Sequence, residues 1–238
     1  MNKQNQLSII DSTSSMWHFA PNLQRYTEEV LLGEVWQRPQ LSLRDRSIAT
    51  LSVLIARNNS GYLFNYLNIA LENGVKPSEI SGIVTHLAFY SGWSNALAAL
   101  QVVQNVFTER GISIEHLPSK IPSVPSFAHM EELRHTAVKR KFGDVAPGLV
   151  QLTKDVIFDD LWLQSDLSIQ DRCIVTICSV IATAQSAQLA FYLNRAMDNG
   201  ITQAALSELM LHVAFYSGWS SVYTALAVVK DVFESRPE

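Results

Sequence analysis

Apolar residues recur along most of the chain at steps of three and four, the spacing of one face of an α-helix. Leu23, Tyr26, Val30, Leu31 and Val35 keep that spacing and predict a helix over 21–37, which Pro39 stops. Ser42 suits an N-cap, with Asp45 three residues on in a capping-box-like position. The helix that follows turns Ile48, Leu51, Leu54 and Ile55 inward until the polar run 58–61 breaks it. A helix over 62–72 ends at Asn73-Gly74, a pair suited to a left-handed stop. Pro77 sits just inside the start of the next helix, which carries Ile80, Ile83, Val84 and Leu87. Gly92 marks its end or a bend, and a last helix covers 94–109 with Leu97, Leu100, Val103 and Phe107 in register. Nothing alternates at period two for long, so strands are not expected.

The same pattern then returns. Residues 86–93 read HLAFYSGW and residues 212–219 read HVAFYSGW, an offset of 126 positions. That offset also places Leu41 on Leu167, Asp45 on Asp171, Arg46 on Arg172 and Asn73 on Asn199, with no gap between 21 and 110. Roughly two-fifths of the positions are identical, which marks a tandem duplication. Helices are therefore expected near 148–164, 169–183, 186–198, 203–217 and 220–234. The expected fold is all-α, two helical-bundle repeats packed face to face as a pseudo-dimer.

The segment 1–15 is polar and reads as a flexible arm. The first repeat covers 16–110 and the second 129–238. Between them, 111–128 contains Pro118, Pro122 and Pro125 and reads as an extended linker. The second repeat opens with a charged helix over 129–142, with Lys139, Arg140 and Lys141 in its last turn.

Composition narrows the function classes. Nearly half of the 238 residues are hydrophobic, only 17% are charged, and the net charge is −4. That balance suits a folded protein with much buried surface, some of it in a homo-oligomer, and argues against a nucleic-acid partner. No apolar run is long enough for a membrane span, and 1–15 lacks the apolar stretch of a signal peptide, so a cytoplasmic location is expected. Cys173 and Cys178 are five apart on one expected helix; they face different ways and read as buried thiols. No metal cluster, phosphate loop or nucleophile elbow is visible.

The candidate chemistry lies in side chains present in both copies. His86 and Tyr90, and their counterparts His212 and Tyr216, are four apart and share a helix face. A histidine on an apolar helix is either a satisfied core group or a proton carrier facing a pocket. Arg46 and Arg172 sit in a first helical turn, where the dipole disfavours a cation, so each needs an acid or an anionic ligand. Salt bridges to Glu72 or Asp198 supply the structural reading, and a fork for a substrate carboxylate the functional one. Tyr66 and Tyr192 suit a pocket wall or an interface. Trp93 and Trp219 follow the glycine bend and either pack there or line a ligand site, while Trp36 and Trp162 read as core.

These motifs, Leu-Ser-x-x-Asp-Arg, Ala-x-x-Asn-Gly and His-x-Ala-Phe-Tyr-Ser-Gly-Trp in that order, resemble the carboxymuconolactone decarboxylase family of the alkylhydroperoxidase-D-like superfamily. The resemblance implies helical units that pair and assemble into rings, so that three fused chains make a homotrimeric pseudo-hexamer. It implies a cofactor-independent lyase acting on a small carboxylated lactone or a related unsaturated acid. Arg46 and Arg172 would then anchor a carboxylate, and His86 and His212 would act as general acids. Tyr66, Tyr192, Tyr90, Tyr216, Trp93 and Trp219 would line the substrate site. The alternative is a non-catalytic or repurposed small-molecule-binding or biosynthetic protein on the same fold. Two departures stand out. The Cys pair of peroxidase-like members falls on Asn59 and Tyr62, and on Gln185 and Gln188, so thiol peroxidase chemistry is not expected. A family histidine is replaced by Tyr66 and Tyr192.

Overall fold

The computed structural model describes residues 14–113, 115, 117 and 128–236. Most of the expected arm and linker therefore lies outside the described residues. Within them the chain is helical, with no strand. The first repeat contains α1 (Pro21–Arg25), α2 (Leu43–Ala56), α3 (Ser60–Glu72), α4 (Pro77–Ser91) and α5 (Trp93–Glu109). The connecting helix α6 is Ala128–Phe142. The second repeat contains α7 (Pro147–Leu152), α8 (Ile169–Ala182), α9 (Leu189–Asp198), α10 (Gln203–Ser217) and α11 (Trp219–Ser235).

The opening helix of each repeat is less regular than its apolar spacing predicts. In place of one helix over 21–37, α1 widens into a π-helical stretch, Tyr26–Leu32, followed by a 3-10 turn, Val35–Gln37. The second copy does the same over Thr153–Phe158 and Leu161–Leu163. Apolar periodicity cannot distinguish i+4 from i+5 hydrogen bonding over one turn. The turn is what carries Trp36 and Trp162 inward; they are 0% and 1% exposed. The 186–198 helix likewise begins with a 3-10 turn, Ser186–Gln188.

The core is organised on α2 and α8, which pack against each other at the junction of the repeats. Both are buried on nearly every side from the first turn onward. A helix in that position needs no polar face, which is why the apolar stripe on α2 is weak. Its hydroxyls are satisfied internally: Ser47, Thr50 and Ser52 donate to the carbonyls of Leu43, Arg46 and Ile48. The expected Ser42 cap forms, its hydroxyl accepting from the Asp45 N–H, and Ser168 does the same with the Asp171 N–H in the second repeat.

The repeats also exchange contacts. α4 of the first packs on α8 of the second, and α10 packs on α2. The positive φ of Gly92 (95°) and Gly218 (89°) turns the chain sharply at the ends of α4 and α10, a conformation only glycine adopts without strain. Each of these helices thereby lies across the other repeat's central helix while the next helix returns to its own bundle.

Candidate functional site

The exchange of α4 and α10 assembles two buried groups, each drawing side chains from both repeats. The first joins Trp36, Arg46, Thr50 and Tyr66 to Glu208, His212 and Tyr216. His212 Nε2 lies 2.8 Å from Thr50 Oγ1, and the indole N–H of Trp36 donates to the Tyr216 hydroxyl at 2.9 Å. The Tyr216 and Tyr66 hydroxyls hydrogen-bond each other at 3.1 Å. The His212 ring stands edge-on to Trp36, with centroids 5.0 Å apart.

The second group repeats this with the halves reversed. His86 Nε2 meets Thr176 Oγ1 at 2.8 Å, Trp162 donates to the Tyr90 hydroxyl at 2.8 Å, and Tyr90 and Tyr192 share a hydrogen bond of 3.0 Å. The His86 ring is edge-on to Trp162 and stacked on Tyr90. Neither imidazole is packed in hydrocarbon alone, although both are 0% exposed.

The threonines fix the histidine tautomer. Thr50 donates its proton to the Arg46 carbonyl, and Thr176 donates to that of Arg172. Each hydroxyl oxygen is left as an acceptor, so each imidazole presents Nε2–H to it and keeps its lone pair on Nδ1. Burial, with the Arg46 guanidinium nearby, pushes the His212 pKa down to about 3. Burial, then Arg172 and Arg195, hold His86 well below the ordinary imidazole value. Both rings are therefore neutral near pH 7. Burial raises all four phenols, with Tyr216 pushed up to about 12. They remain protonated donors.

The arginines are interior groups, Arg46 0% and Arg172 1% exposed. Their acids are not the ones the sequence suggested. Glu72 pairs with Arg110 and Asp198 with Arg236. Arg46 instead meets Glu208 on α10 at 3.0 Å, and Glu208 is shared with Arg38 at 2.9 Å. Arg172 meets Asp166, from its own repeat, at 2.5 Å. Burial lowers both guanidinium pKa values, opposed by these carboxylates. Asp166 fills space that Gly82 leaves free: a Cβ at Gly82 would lie 2.7 Å from its Oδ2. At the offset of 126, Gly82 corresponds to Glu208 and Gln40 to Asp166. In both copies the acid meets the arginine at Nη2, but it comes from α10 of the other repeat for Arg46 and from the segment before α8 for Arg172.

The structure brings His86, His212, Arg46, Arg172, Tyr66, Tyr192, Tyr90 and Tyr216 into these groups. It leaves Trp93 and Trp219 outside them, 58% and 50% exposed, with rings edge-on to Phe89 and Phe215. The glycine bend directs them to the surface. Sequence reasoning missed Thr50 and Thr176, although both recur at the repeat offset one turn after the arginine. It read Trp36 and Trp162 only as core. Glu208 and Asp166 differ between copies, so the repeat carries no signal for them.

The residues that build these groups fall within two matches to one family model, described as "Carboxymuconolactone decarboxylase family", over 21–105 and 147–231. The chain belongs to the carboxymuconolactone decarboxylase family. It is similar to a 4-carboxymuconolactone decarboxylase from Acinetobacter baylyi, 31% identical over 104 residues, 44% of this chain and 78% of that protein. It is also similar to a nitrosuccinic acid decarboxylase from Metarhizium robertsii, 35% identical over 77 residues. That match covers 32% of this chain and about half, 54%, of the relative.

Other chemistries find little support in the described residues. Cys173 and Cys178 are buried free thiols on α8, and burial pushes Cys173 up to about 12. No cluster of three His, Cys, Asp or Glu that could hold a metal ion occurs among the described residues. No described helix is long and apolar enough to cross a membrane.

Proposed function

We propose that this family member is a cofactor-independent decarboxylase acting on a small carboxylated lactone or a related unsaturated acid. The observation that carries the reading is the meeting, in a buried inter-repeat group, of a guanidinium, a neutral imidazole and two hydrogen-bonded phenols. The names of the two relatives, both decarboxylases, support the same class.

The chemistry follows from charge. A guanidinium in a low-dielectric site favours a substrate carboxylate. Loss of CO2 leaves an electron pair that a conjugated carbonyl can take up, and protonated phenols donate to the oxygen that gains charge. The imidazoles, neutral and with Nε2–H committed to threonine, are not ready-made acids. They would first have to take up a proton at Nδ1, and an arriving anion makes that uptake easier. Arg46 and Arg172 thus remain candidate anchors, and the histidines become carriers of a proton that enters with substrate.

Incubation of the purified chain with 4-carboxymuconolactone, and separately with nitrosuccinate, tests the reading through CO2 release. Turnover above that of an Arg46→Lys/Arg172→Lys double variant is expected. None with either compound would remove the proposal.

A non-catalytic binding protein is the second reading, favoured by Tyr66 and Tyr192 at the position where the family resemblance expects a histidine. A ligand at about 100 times its Kd would then stabilise the fold by roughly 2.7 kcal/mol without being consumed.

We also propose a homotrimer, a six-unit ring of fused pairs. Trp93, Leu97 and Leu100 on α5, and Trp219 and Tyr223 on α11, are exposed large apolar side chains that such a ring would cover.

A further inference from the structure

The two groups are built from the same residues but differ in what their polar atoms meet. In the second, Arg172 Nη1 approaches His86 Nδ1 at 3.3 Å, while Nη2 donates to the Gln164 carbonyl and to Asp166. The lone pair on His86 is thus occupied by a cation's donor, and of the Arg172 nitrogens Nε alone is unpartnered. In the first group, Arg46 Nη2 takes both the Arg38 carbonyl and Glu208. Arg46 Nε, Arg46 Nη1 and His212 Nδ1 are all buried and unpartnered. A buried polar atom is costly to leave unpaired, and this set includes an imidazole lone pair; beside the second group Arg195 Nε and Arg134 Nη2 are also unpartnered, but no imidazole nitrogen is.

Glu208 is divided between Arg46 and Arg38, which also meets Glu34 at 3.7 Å, whereas Arg172 has Asp166 to itself.

We infer that the Arg46–His212 group is the working site of this chain, binding a substrate carboxylate at Arg46 Nε and Nη1 while His212 Nδ1 takes up a proton, and that the Arg172–His86 group is its locked copy. The chemistry rests on the decarboxylase reading; the binding asymmetry does not. In the reaction, the bond between the substrate carbon and its departing carboxylate breaks, and CO2 leaves. The electron pair passes into the conjugated carbonyl and returns to form a C–H bond with the proton from Nδ1. The imidazole is neutral again, and one proton has been consumed for each CO2. His86 cannot follow this course without first breaking its contact with Arg172.

The test uses the whole chain labelled with 15N-histidine, titrated with cis,cis-muconate, an unsaturated diacid without the lactone ring. His86→Gln and His212→Gln spectra assign the two buried rings, glutamine retaining an N–H for the threonine. The His212 ring nitrogens are expected to move toward imidazolium positions while those of His86 stay in place. Equal shifts at both rings, a shift at His86 alone, or no shift at either overturns the inference. With 4-carboxymuconolactone, His212→Gln should lower kcat/KM by about 100-fold or more, and by at least about tenfold more than His86→Gln does. If His212→Gln fails to fold, Arg46→Lys against Arg172→Lys gives the same comparison. A response of His212 to muconate without any lactone turnover would retain this site and remove the decarboxylase reading. Turnover lost equally from both variants would do the reverse.

Discussion

The indole of Trp36 donates to the hydroxyl of Tyr216 at 2.9 Å, joining a 3-10 turn of the first repeat to α10 of the second. Trp162 and Tyr90 make the reciprocal bond. Neither repeat can complete its own group, so the fused pair is one chemical unit. Tyr216→Phe would leave the buried Trp36 N–H without its acceptor, at a cost of about 1–3 kcal/mol. Urea unfolding should show that loss, and Trp36→Phe added to it should cost less than the sum of the single changes.

Glu208 is 4% exposed and meets both Arg38 and Arg46. Breaking a buried ion pair on one side leaves a bare charge, so Glu208→Gln is expected to cost about 3–5 kcal/mol. Glu29→Gln, at an exposed pair with Arg25, should cost less than about 1 kcal/mol. Chemical denaturation of the two variants checks the contrast.

Stability should depend on the buried imidazoles at acid pH. The folded pKa of His212 is lowered from 6.5 to about 3. Above pH 6.5 both the folded and unfolded states keep the ring neutral, and its burial carries no protonation penalty. As pH falls from 6.5 toward 3, the unfolded chain binds the proton first and stability is lost. His86 acts in the same direction. Each ring adds at most about 1.4 kcal/mol per pH unit to the slope. His212→Gln should flatten the dependence measured by denaturation at pH 7, 6, 5 and 4. An unchanged slope would show that His212 titrates normally in the fold.

Gly82 leaves the room that Asp166 occupies. Gly82→Ala should push that carboxylate away from Arg172 and cost about 1–3 kcal/mol by overpacking. The loss should be smaller when Asp166→Ala is present, which a double-mutant cycle measures.

Cys173 and Cys178 are 0% exposed, and burial raises both thiol pKa values. Neither should react with a disulfide reagent at pH 8 in the folded chain, and both should react in 6 M guanidinium. Fast labelling of the native protein would contradict their placement.

The repeated motifs, the helix cap at Ser42 and the glycine stops were legible in the chain, because local hydrogen bonding and apolar spacing are written over a few residues. The duplication itself showed which side chains recur, and eight of those singled out do meet in the two groups. Partnership was not legible. Arg46 and Arg172 announced a need for an acid by their first-turn position, yet Glu208 and Asp166 lie 162 residues and 6 residues away. No local rule selects between them. The sequence determined an all-α duplicated fold and a roster of candidate residues. The crossing of α4 and α10 decided that each group is shared between the repeats. It also decided that one imidazole is capped by a guanidinium while the other is left open. Those outcomes depend on which side chains come within about 3 Å of each other, a distance set by packing across the whole core rather than by spacing along the chain.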